Sequence, residues 1–525
     1  MAGTPHGNAQ WASRTALYES RKFHFTRAGA SGSLPRNDLI LGKWVETPTG
    51  EPHPMHTALY EGRRYRSQDV DPIYLTFRDD GHIMTVAPTR TGKGQGLIIP
   101  NLLNYSGNVI VIDPKGENFE KTKDYRESLG QDLWCFDPFK IKQKRDLHGI
   151  CVLKKVKSLF DQLGKEEDEE ESYSFLAEVS RIAEAMVVRK RDEKDPFFNT
   201  AAQIMIKDAI ILSLYSHKND DCPPLSYVRK LFLRDSETKR LMEELDKRLA
   251  FSEDEPDSRV LLAREAAVEL SKYMENRDVV TTAILQTEFL EDDNVAAILD
   301  ADQKKCSFIF DPDTLNADVM MSIFLIIPPQ HLMRQSRFLR LFVTLCIDTL
   351  TRRNSDHDQL RQYHHILFIL DEIAQLGPLD CIQKAAALGA GYKMTLWMFW
   401  QDLSQLKGLY PEDWMTFLSN SKIQQFFGCN DIETAKYISE RCGPRTQFSF
   451  TETNQFNTHG FHTDVTSGDT RSKIAGELLR PSEVLRADNK IIFHFCQGYF
   501  PFMCERIEYN NDAPFINRYP HGSRN

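Results

Sequence analysis

The sequence predicts an α/β protein, in which helices flank a mostly parallel sheet and an all-helical domain is inserted. Three observations indicate this class. Short, continuous apolar runs recur along the chain, helix-like stretches separate several of them, and an acidic middle segment shows helical periodicity without strands. The chain has 525 residues, of which 41% are hydrophobic and 27% charged. This balance is typical of a soluble globular protein and excludes wholesale disorder, a collagen-like fibre and a small disulfide scaffold.

The predicted strands are short runs of apolar residues closed by turn-forming or polar residues. Because the hydrophobicity of each run is continuous rather than alternating, we expect both faces of each strand to be covered. Helix-like stretches such as 338–350 lie between several of them. Strands that alternate with helices predict a doubly wound sheet. The runs are 83–87, 109–112, 323–327, 366–370, 394–399 and 491–495.

The middle of the chain differs from the rest in pattern and in charge. Apolar residues recur at helical spacing over 175–188 and in further stretches up to residue 290. Residues 151–300 contain 33 acidic and 22 basic residues, whereas the rest of the chain contains 42 acidic and 43 basic residues. We therefore predict an all-α insertion domain over 160–300. Its acidic runs are either solvated loops or a face that repels nucleic acid and attracts basic partners.

A polar segment near the carboxyl terminus, residues 446–472, is rich in Thr, Ser, Asn, Gly and His. It shows neither helical nor strand periodicity. This composition predicts a mobile loop.

The strongest candidate site is the segment APTRTGKGQG at 87–96, which we call the phosphate loop. It follows a predicted strand and precedes an apolar stretch, 97–103. A strand, a tight glycine-containing turn and a helix together aim backbone N–H groups at an anion. Lys93 would add a point charge for the β- and γ-phosphates. The residues predicted to bind a nucleotide are Pro88, Thr89, Arg90, Thr91, Gly92, Lys93, Gly94 and Gln95.

The phosphate loop departs from the strict pattern G-x-x-x-x-G-K-[ST]. Ala87 replaces the first glycine, and Gly94 replaces the hydroxyl residue that normally binds magnesium. From the pattern alone, two interpretations stay open: a nucleotide site, or an ordinary glycine-rich turn with an exposed lysine.

Polar residues at the ends of other predicted strands favour the nucleotide site. Asp371 and Glu372 follow the run 366–370, Gln401 follows another apolar run, and Asp113 follows a third. Asp371 can hold magnesium through water, Glu372 can take the proton of an attacking water, and Gln401 can sense the γ-phosphate. Ligands bind at the carboxyl ends of strands in such sheets, whereas each motif alone also fits a polar strand end.

Together these residues resemble the type IV secretion coupling proteins (TraG/TraD-like). These are hexameric motor ATPases of the FtsK/HerA type with RecA-like cores. The resemblance runs in chain order over roughly residues 80–510. The matching segments are 87–94, 99–103, 111–117, 370–377, 401–406 and 430–435.

The resemblance implies a domain organisation. An N-terminal segment, 1–60, would precede a RecA-like nucleotide-binding domain formed by 61–159 and 301–515, with the all-α domain 160–300 between its two parts. Lys93 and Asp371 are 278 residues apart, a separation that independently requires an inserted domain between two neighbouring core strands.

The resemblance also implies chemistry. With ATP and Mg²⁺ bound, Lys93 would bind phosphates, Asp371 would hold the metal, Glu372 would activate water and Gln401 would sense the γ-phosphate. Because Gly94 supplies no hydroxyl, Thr91 or water would complete the magnesium shell. The implied function is an ATPase, DNA-stimulated in the motor interpretation, that drives relaxase-bound single-stranded DNA, effector proteins or both into a type IV secretion channel. The implied assembly is a homo-hexamer with channel components as partners.

The sequence departs from this family in its lack of an apolar run near the 20 residues that span a bilayer. Relatives usually begin with transmembrane helices. We therefore expect a cytoplasmic protein, held at the cytoplasmic face of the inner membrane by a membrane-anchored partner. Two alternatives stay open: a naturally soluble form that such a partner recruits, or a form that lacks its anchor. The ten cysteines are scattered without any C-x-x-C pair, and several lie in apolar runs, which predicts reduced, buried thiols.

A second departure concerns the trans-acting arginine that some relatives carry after the second catalytic strand. The segment 388–393 contains no arginine, and Lys393, Arg441 and Arg445 are the candidate substitutes. Since an arginine finger can contribute about 10³–10⁵ in rate, its absence predicts a slow or partner-activated ATPase. Two alternatives to the motor therefore stay open: a nucleotide-controlled substrate receptor or adaptor with little motor activity, and a chromosomal DNA translocase or helicase.

Overall fold

A computed structural model of the chain describes residues 9–27, 34–44, 72–142, 147–163, 169–189, 195–250, 257–352, 363–459 and 462–518. Strands and helices alternate through much of these ranges. The strands are β1 (Phe23–Arg27), β2 (Leu39–Trp44), β3 (Ile73–Phe77), β4 (His82–Val86), β5 (Asn108–Ile112), β6 (Asp132–Phe136), β7 (Leu147–Ile150), β8 (Cys306–Phe310), β9 (Met321–Leu325), β10 (Ile366–Leu370), β11 (Met394–Trp400), β12 (Ser421–Phe426), β13 (Pro444–His459), β14 (His462–Glu477), β15 (Ile491–Cys496) and β16 (Phe502–Glu505).

The α-helices range from single turns to a helix of 23 residues. They are α1 (Arg14–Glu19), α2 (Ile99–Leu102), α3 (Glu117–Ser128), α4 (Lys154–Gln162), α5 (Glu169–Met186), α6 (Phe197–Ser216), α7 (Ser226–Leu233), α8 (Asp235–Ala250), α9 (Ser258–Met274), α10 (Arg277–Gln286), α11 (Asp293–Leu299), α12 (Pro329–Thr351), α13 (Asp380–Leu388), α14 (Leu403–Leu409), α15 (Trp414–Asn420), α16 (Ile432–Cys442) and α17 (Pro481–Val484).

The predicted α/β class is confirmed. Each of the six apolar runs forms a strand, namely β4, β5, β9, β10, β11 and β15. These strands are almost wholly buried, as expected for strands that are covered on both faces.

The described residues of one compact unit fall within Met1–Tyr105, Trp400–Gly408 and Ser421–Tyr519. We call it the first unit. Its strands follow the order β1-β3-β2-β16-β15-β12-β4. Among its described strands β4 and β12 pair in parallel, and the other neighbours pair antiparallel. Sequence could not separate these arrangements, because a strand buried on both faces gives a continuous apolar run in either direction.

The described residues of the second unit fall within Ser106–Phe399 and Leu409–Asn420. Its main strands follow the order β11-β10-β5-β9-β6, and every pair in this series is parallel. Leu370, the last residue of β10, pairs with Ile112, the last residue of β5. The carboxyl ends of these neighbouring strands therefore lie at the same level of the sheet.

The second unit also contains a helical segment, α4 to α11, which runs from Lys154 to Leu299. Helix α6 packs against α5, α9 and α10, and most of it is buried. Within the described residues, α6 is the one helix whose length and apolar composition would suit a membrane span, and 61% of that stretch is buried. The helical segment groups with the parallel strands, so the boundaries of a separate domain at 160–300 stay a prediction.

The segment 446–472, expected to be an irregular loop, lies in the long antiparallel hairpin β13–β14. Its sixteen pairs run from Pro444↔Glu477 to His459↔His462. The physical reason for the difference is that backbone pairing needs no apolar periodicity, and the segment is rich in threonine, which favours extended backbone. Its mobility stays a prediction.

A disulfide joins Cys151 to Cys222, with their Cα atoms 5.6 Å apart. The expectation of reduced thiols is therefore wrong for this pair, whereas the other eight cysteines, all within the described ranges, are free. Sequence gave no signal, because 71 residues separate two cysteines that the fold of the helical segment brings together.

Candidate active site

The phosphate loop connects β4 to a helix in the first unit. A π-helical turn over Gly94–Ile98 continues into α2, and the Gly96 N–H donates to the Gly92 carbonyl at 2.8 Å. Two loop residues have left-handed backbone, Arg90 with φ of 64° and Gly92 with φ of 89°. Such alternation turns successive N–H groups toward one concave face, which is the geometry of an anion-binding site. The left-handed backbone of Arg90 carries steric strain, which proteins commonly retain in functional loops.

Side chains of the phosphate loop fold back onto its own carbonyl groups. The Lys93 ammonium donates to the Ala87 carbonyl at 3.0 Å, and the Thr91 hydroxyl donates to the Pro88 carbonyl at 2.7 Å. Thr91 is buried. Its methyl group packs so closely against Gly428 that a Cβ atom on this glycine would lie only 2.5 Å from the methyl carbon. The Thr91 hydroxyl group therefore stabilises the loop through a hydrogen bond within it.

The exposure of the remaining predicted nucleotide-binding residues differs. Thr89, Arg90 and Gln95 are exposed, and the others are partly buried: Pro88, Gly92, Lys93 and Gly94.

Gln401 lies beside the start of the phosphate loop. The Ala87 N–H donates to the carbonyl of Trp400 at 2.9 Å, and Gln401 is the next residue. The Gln401 N–H in turn donates to the Gln405 side chain at 3.0 Å, which fixes the turn into α14. The structure therefore brings Gln401 and the loop together within the first unit, as the strand-end argument predicted.

The carboxylate edge, our term for Asp113, Asp371 and Glu372, lies in the second unit. Because Leu370 and Ile112 are paired in register, Asp371 and Asp113 follow at the same level on neighbouring strands. Asp113 is buried, whereas Asp371 and Glu372 are partly exposed. Two carboxyl groups at one edge repel each other unless a proton or a cation separates them.

Burial raises the pKa of Asp113 to about 7, and the negative charges of Asp371 and Glu117 add to this shift. The Phe119 N–H opposes it by donating to Asp113 at 2.8 Å. Asp113 thereby caps the amino end of α3. Sequence placed Asp113 at the ligand-binding edge, but its role as a helix cap appears in the structure.

Glu372 has a left-handed backbone, with φ of 57°. A residue other than glycine in this conformation costs about 1–3 kcal/mol and is retained where the surroundings enforce it. The turn that follows is held by Arg340, a buried residue of α12, which donates to the carbonyls of Leu376 at 3.2 Å and Pro378 at 2.6 Å.

Arg340 also reaches the helical segment. Its Nε donates to the Ala185 carbonyl at 3.3 Å, in the last turn of α5, and its Nη2 donates to the carbonyl of Val187 at 3.4 Å, just after that helix. The negative end of a helix dipole suits a guanidinium. Arg340 therefore ties α5 to the turn after Glu372, a role that no sequence pattern indicated.

The three candidate trans-acting cations occupy different places. Lys393 precedes β11, at the edge opposite Asp371, and its ammonium donates to the Tyr363 carbonyl at 3.0 Å. A five-residue strand spans about 17 Å, so Lys393 does not reach the carboxylate edge of its own chain. Arg441 is exposed and lies 5.3 Å from the ring centre of Phe495, and Arg445 lies at the start of β13.

Arg506, which follows β16, is a contact residue of the phosphate loop that the sequence did not indicate. Its Nη1 donates to the Gly92 carbonyl of the phosphate loop at 3.2 Å. An isolated arginine 414 residues from its partner carries no sequence signal.

A parallel α/β core, a strand–turn–helix anion loop and carboxylates at strand ends define the class of nucleotide-binding α/β proteins. The chain belongs to the family described as "Type IV secretory system Conjugative DNA transfer", whose pattern matches residues 23–523. The resemblance stated from the motifs is confirmed.

Named relatives agree with this assignment. The chain is 27% identical over 441 residues to the protein VirD4 of Rhizobium radiobacter, covering 84% of this chain and 58% of that protein. It is 23% identical over 509 residues to the conjugal transfer protein TraG of Escherichia coli, covering 92% of this chain and 71% of TraG. The chain thus spans little more than half of the VirD4 relative.

The fold is also that of a solved coupling protein. The plasmid coupling protein TrwB bound to a non-hydrolysable ATP analogue matches with a TM-score of 0.53 and 12% identity, covering 97% of this chain and 96% of that chain. TrwB has also been solved with ADP and Mg²⁺, with a TM-score of 0.50 and 14% identity over 91% of this chain and 97% of that one. The predicted RecA-like α/β fold is confirmed.

Proposed function

We propose that this chain is an ATP-hydrolysing coupling protein that drives DNA (as a relaxase-bound single strand), protein substrates or both into a type IV secretion channel. The observation that carries the proposal is the phosphate loop, a buried strand that turns through two left-handed residues into a helix whose first turn follows Lys93. Membership of the conjugative DNA transfer family supports the choice of substrate.

The phosphate loop fits a triphosphate. Its concave run of N–H groups supplies directed donors, and Lys93 supplies a positive charge whose ammonium donates to the neutral Ala87 carbonyl. A phosphate oxygen is a stronger acceptor for an ammonium than a neutral carbonyl. We therefore expect Lys93 to leave Ala87 when the nucleotide binds.

The carboxylate edge fits Mg²⁺ by the chemistry of its donors. Mg²⁺ usually binds one or two carboxylates and keeps several waters. In the part of the chain that the structure describes, no cluster of three or more metal-binding side chains is present. Asp371 would hold the ion through water, and Mg²⁺ would neutralise charge on the phosphates. Thr91, with its hydroxyl directed to Pro88, stays the weaker candidate ligand.

The proposed site residues then have different roles in ATP hydrolysis. Glu372 accepts a proton from water as the water oxygen bonds to the γ-phosphorus and the bond to the β-phosphate oxygen breaks. Lys93 and the loop N–H groups hold the phosphates, and Gln401 responds to the γ-phosphate. The left-handed backbone of Glu372 fixes the direction in which its side chain leaves the strand.

We further propose a homo-hexamer in which a neighbouring subunit completes each site. Lys393 lies at the edge opposite its own Asp371, which suits a cation that acts on another copy. Arg441 and Arg445 are the alternative donors. The proposed location is the cytoplasmic face of the inner membrane, beside channel components and through a membrane-anchored partner.

The deciding experiment measures ATP turnover with and without single-stranded DNA, for the parent and for Lys93→Ala. A motor shows DNA-stimulated turnover that Lys93→Ala abolishes. Its DNA affinity also falls steeply with salt, because neutralised phosphates release counterions.

A different result would support the alternative function. Nucleotide binding without turnover under any DNA or partner condition would overturn the motor and leave a nucleotide-controlled receptor or adaptor. In that case, removal of the acidic helical segment would abolish capture of protein partners without changing nucleotide affinity.

A further inference from the structure

Arg506 packs across the outer side of the phosphate loop. Its Nη1 donates to the Gly92 carbonyl at 3.2 Å, the same carbonyl that accepts the Gly96 N–H. The Arg506 backbone is itself fixed, since its N–H donates to the Lys490 carbonyl at 2.7 Å. The guanidinium therefore reaches the loop from a rigid position at the end of β16.

Two loop glycines make room for this side chain. A Cβ on Gly92 would lie 1.4 Å from Arg506 Nη1, and a Cβ on Gly96 would lie 2.2 Å from Arg506 Cγ. Gly92 also needs its positive φ, but the space next to Gly96 is taken by Arg506. Glycine at position 96 is thus explained by arginine at position 506.

The contact controls the direction of an anion-binding N–H group. In a trans peptide the carbonyl of Gly92 and the N–H of Lys93 point in opposite directions. Arg506 holds that carbonyl on the outer side, so the Lys93 N–H is directed to the inner, concave side. A charged donor on the carbonyl also polarises the peptide and strengthens its N–H as a donor.

The Arg506 guanidinium has a second buried donor. The Nε atom of Arg506 is buried and has no hydrogen-bond partner among the described residues. A buried donor on a cation is costly to leave unsatisfied, and native proteins normally supply an acceptor from protein, water or ligand.

We infer that Arg506 is a positioning residue of the nucleotide site, which holds the Gly92–Lys93 peptide in the orientation that binds phosphate. This inference rests on the proposed nucleotide-binding role of the phosphate loop. It adds a cation from outside the phosphate loop to Arg90 and Lys93, which lie within it.

The first test measures the dissociation constant of Mg²⁺·ADP by calorimetry for Arg506→Gln and Arg506→Lys. Arg506→Gln should weaken binding about tenfold, because a charge-assisted hydrogen bond is lost. Arg506→Lys keeps a charged donor and should restore most of the affinity. Arg518→Gln is the matched control, since Arg518 donates to the Leu103 carbonyl at 2.8 Å, at the far end of α2.

The second test uses a compensating pair. Gly96→Ala should weaken Mg²⁺·ADP binding because the new methyl group would lie 2.2 Å from Arg506 Cγ. The double variant Gly96→Ala, Arg506→Ala removes that clash and leaves the Ile507 carbonyl oxygen at 3.3 Å as the next contact. The double variant should therefore bind no worse than Arg506→Ala alone. The melting temperature of each variant distinguishes weaker Mg²⁺·ADP binding at an intact site from a simple loss of folding.

The inference is overturned if Arg506→Gln binds Mg²⁺·ADP like the parent, or if the two losses add in the double variant. Lys93→Ala, measured in parallel, distinguishes failure of the proposed nucleotide site from failure of the proposed role of Arg506. If Lys93→Ala also binds like the parent, the proposed nucleotide site itself fails, and if it loses binding while Arg506→Gln does not, only the role of Arg506 fails.

Discussion

The phosphate loop of the first unit and the carboxylate edge of the second unit are built for opposite charges. The loop presents N–H groups and Lys93, whereas the edge presents the carboxyl groups of Asp113, Asp371 and Glu372. The loop follows a strand with one parallel neighbour in its unit, and the edge lies in a fully parallel series. The carboxylate edge therefore collects its carboxyl groups from the ends of adjacent parallel strands, whereas the N–H groups of the loop come from one continuous segment.

The two sites nevertheless share one structural device. In each, an arginine donates to backbone carbonyls rather than to a carboxylate, Arg506 to Gly92 and Arg340 to Leu376 and Pro378. Both arginines fix the backbone of a turn next to a predicted site residue, Lys93 in the loop and Glu372 at the edge.

The largest expected effect separates binding from chemistry. Glu372→Gln should lower the rate of ATP turnover by about 10²–10⁴, because the general base is lost, while the affinity for Mg²⁺·ATP stays near that of the parent. Single-turnover kinetics and calorimetry measure the two quantities. Glu117→Gln, in the first turn of α3, is the matched control and should retain turnover. Loss of binding in Glu372→Gln would contradict the division of roles between the two sites.

A smaller effect is expected for Arg340→Met, on the second unit. The substitution removes donors from four carbonyls, so the free energy of unfolding should fall by about 3 kcal/mol, and turnover should fall because the turn after Glu372 loosens. Urea unfolding and steady-state kinetics measure both. The control is Arg334→Gln on the same helix, where exposed pairs with Glu288 and Glu291 contribute at most about 1 kcal/mol. Equal effects of the two substitutions would show that Arg340 does not hold the turn after Glu372 against α5.

The smallest effect is a difference in pH dependence between the units. In the first unit, burial lowers the pKa of His494 to about 3, from its ordinary 6.5. Between these values the unfolded chain binds more protons, so this contribution to stability falls as the pH drops below 6.5, by about 1.4 kcal/mol per pH unit. In the second unit, burial raises the pKa of Asp208 from 3.8 to about 6, with Lys207 opposing. That contribution is full below 3.8 and is lost as the pH rises through 6.

Urea unfolding at pH 5 and pH 7 tests the signs of these two contributions to the pH dependence of stability. Relative to the parent, His494→Gln should lose about 2 kcal/mol less stability between pH 7 and pH 5. Asp208→Asn should shift the same difference in the opposite direction, by about 1 kcal/mol. Shifts of the same sign in both variants would contradict the assignment.

The sequence predicted those parts of the fold that depend on local pattern. The run Ile366–Leu370 is buried on both faces, so its apolar residues are continuous, and Asp371 and Glu372 mark its end. The phosphate loop could likewise be found because Gly92 and Lys93 are adjacent in the chain. These signals need no knowledge of distant residues.

Contacts between distant segments could not be predicted. Arg506 and Arg340 donate to carbonyls, which every residue has, so nothing in the partner sequence marks the contact. The antiparallel pairing of β15 leaves the same apolar run as a parallel one. The strands of 446–472 form through backbone pairing, which leaves no apolar periodicity in the sequence.

The Cys151–Cys222 disulfide closes a covalent ring that includes α4, α5 and α6. One cut of the backbone anywhere inside this ring leaves the amino-terminal and carboxyl-terminal pieces attached through sulfur. A nicked molecule would therefore migrate as an intact chain on a denaturing gel until a thiol reagent is added.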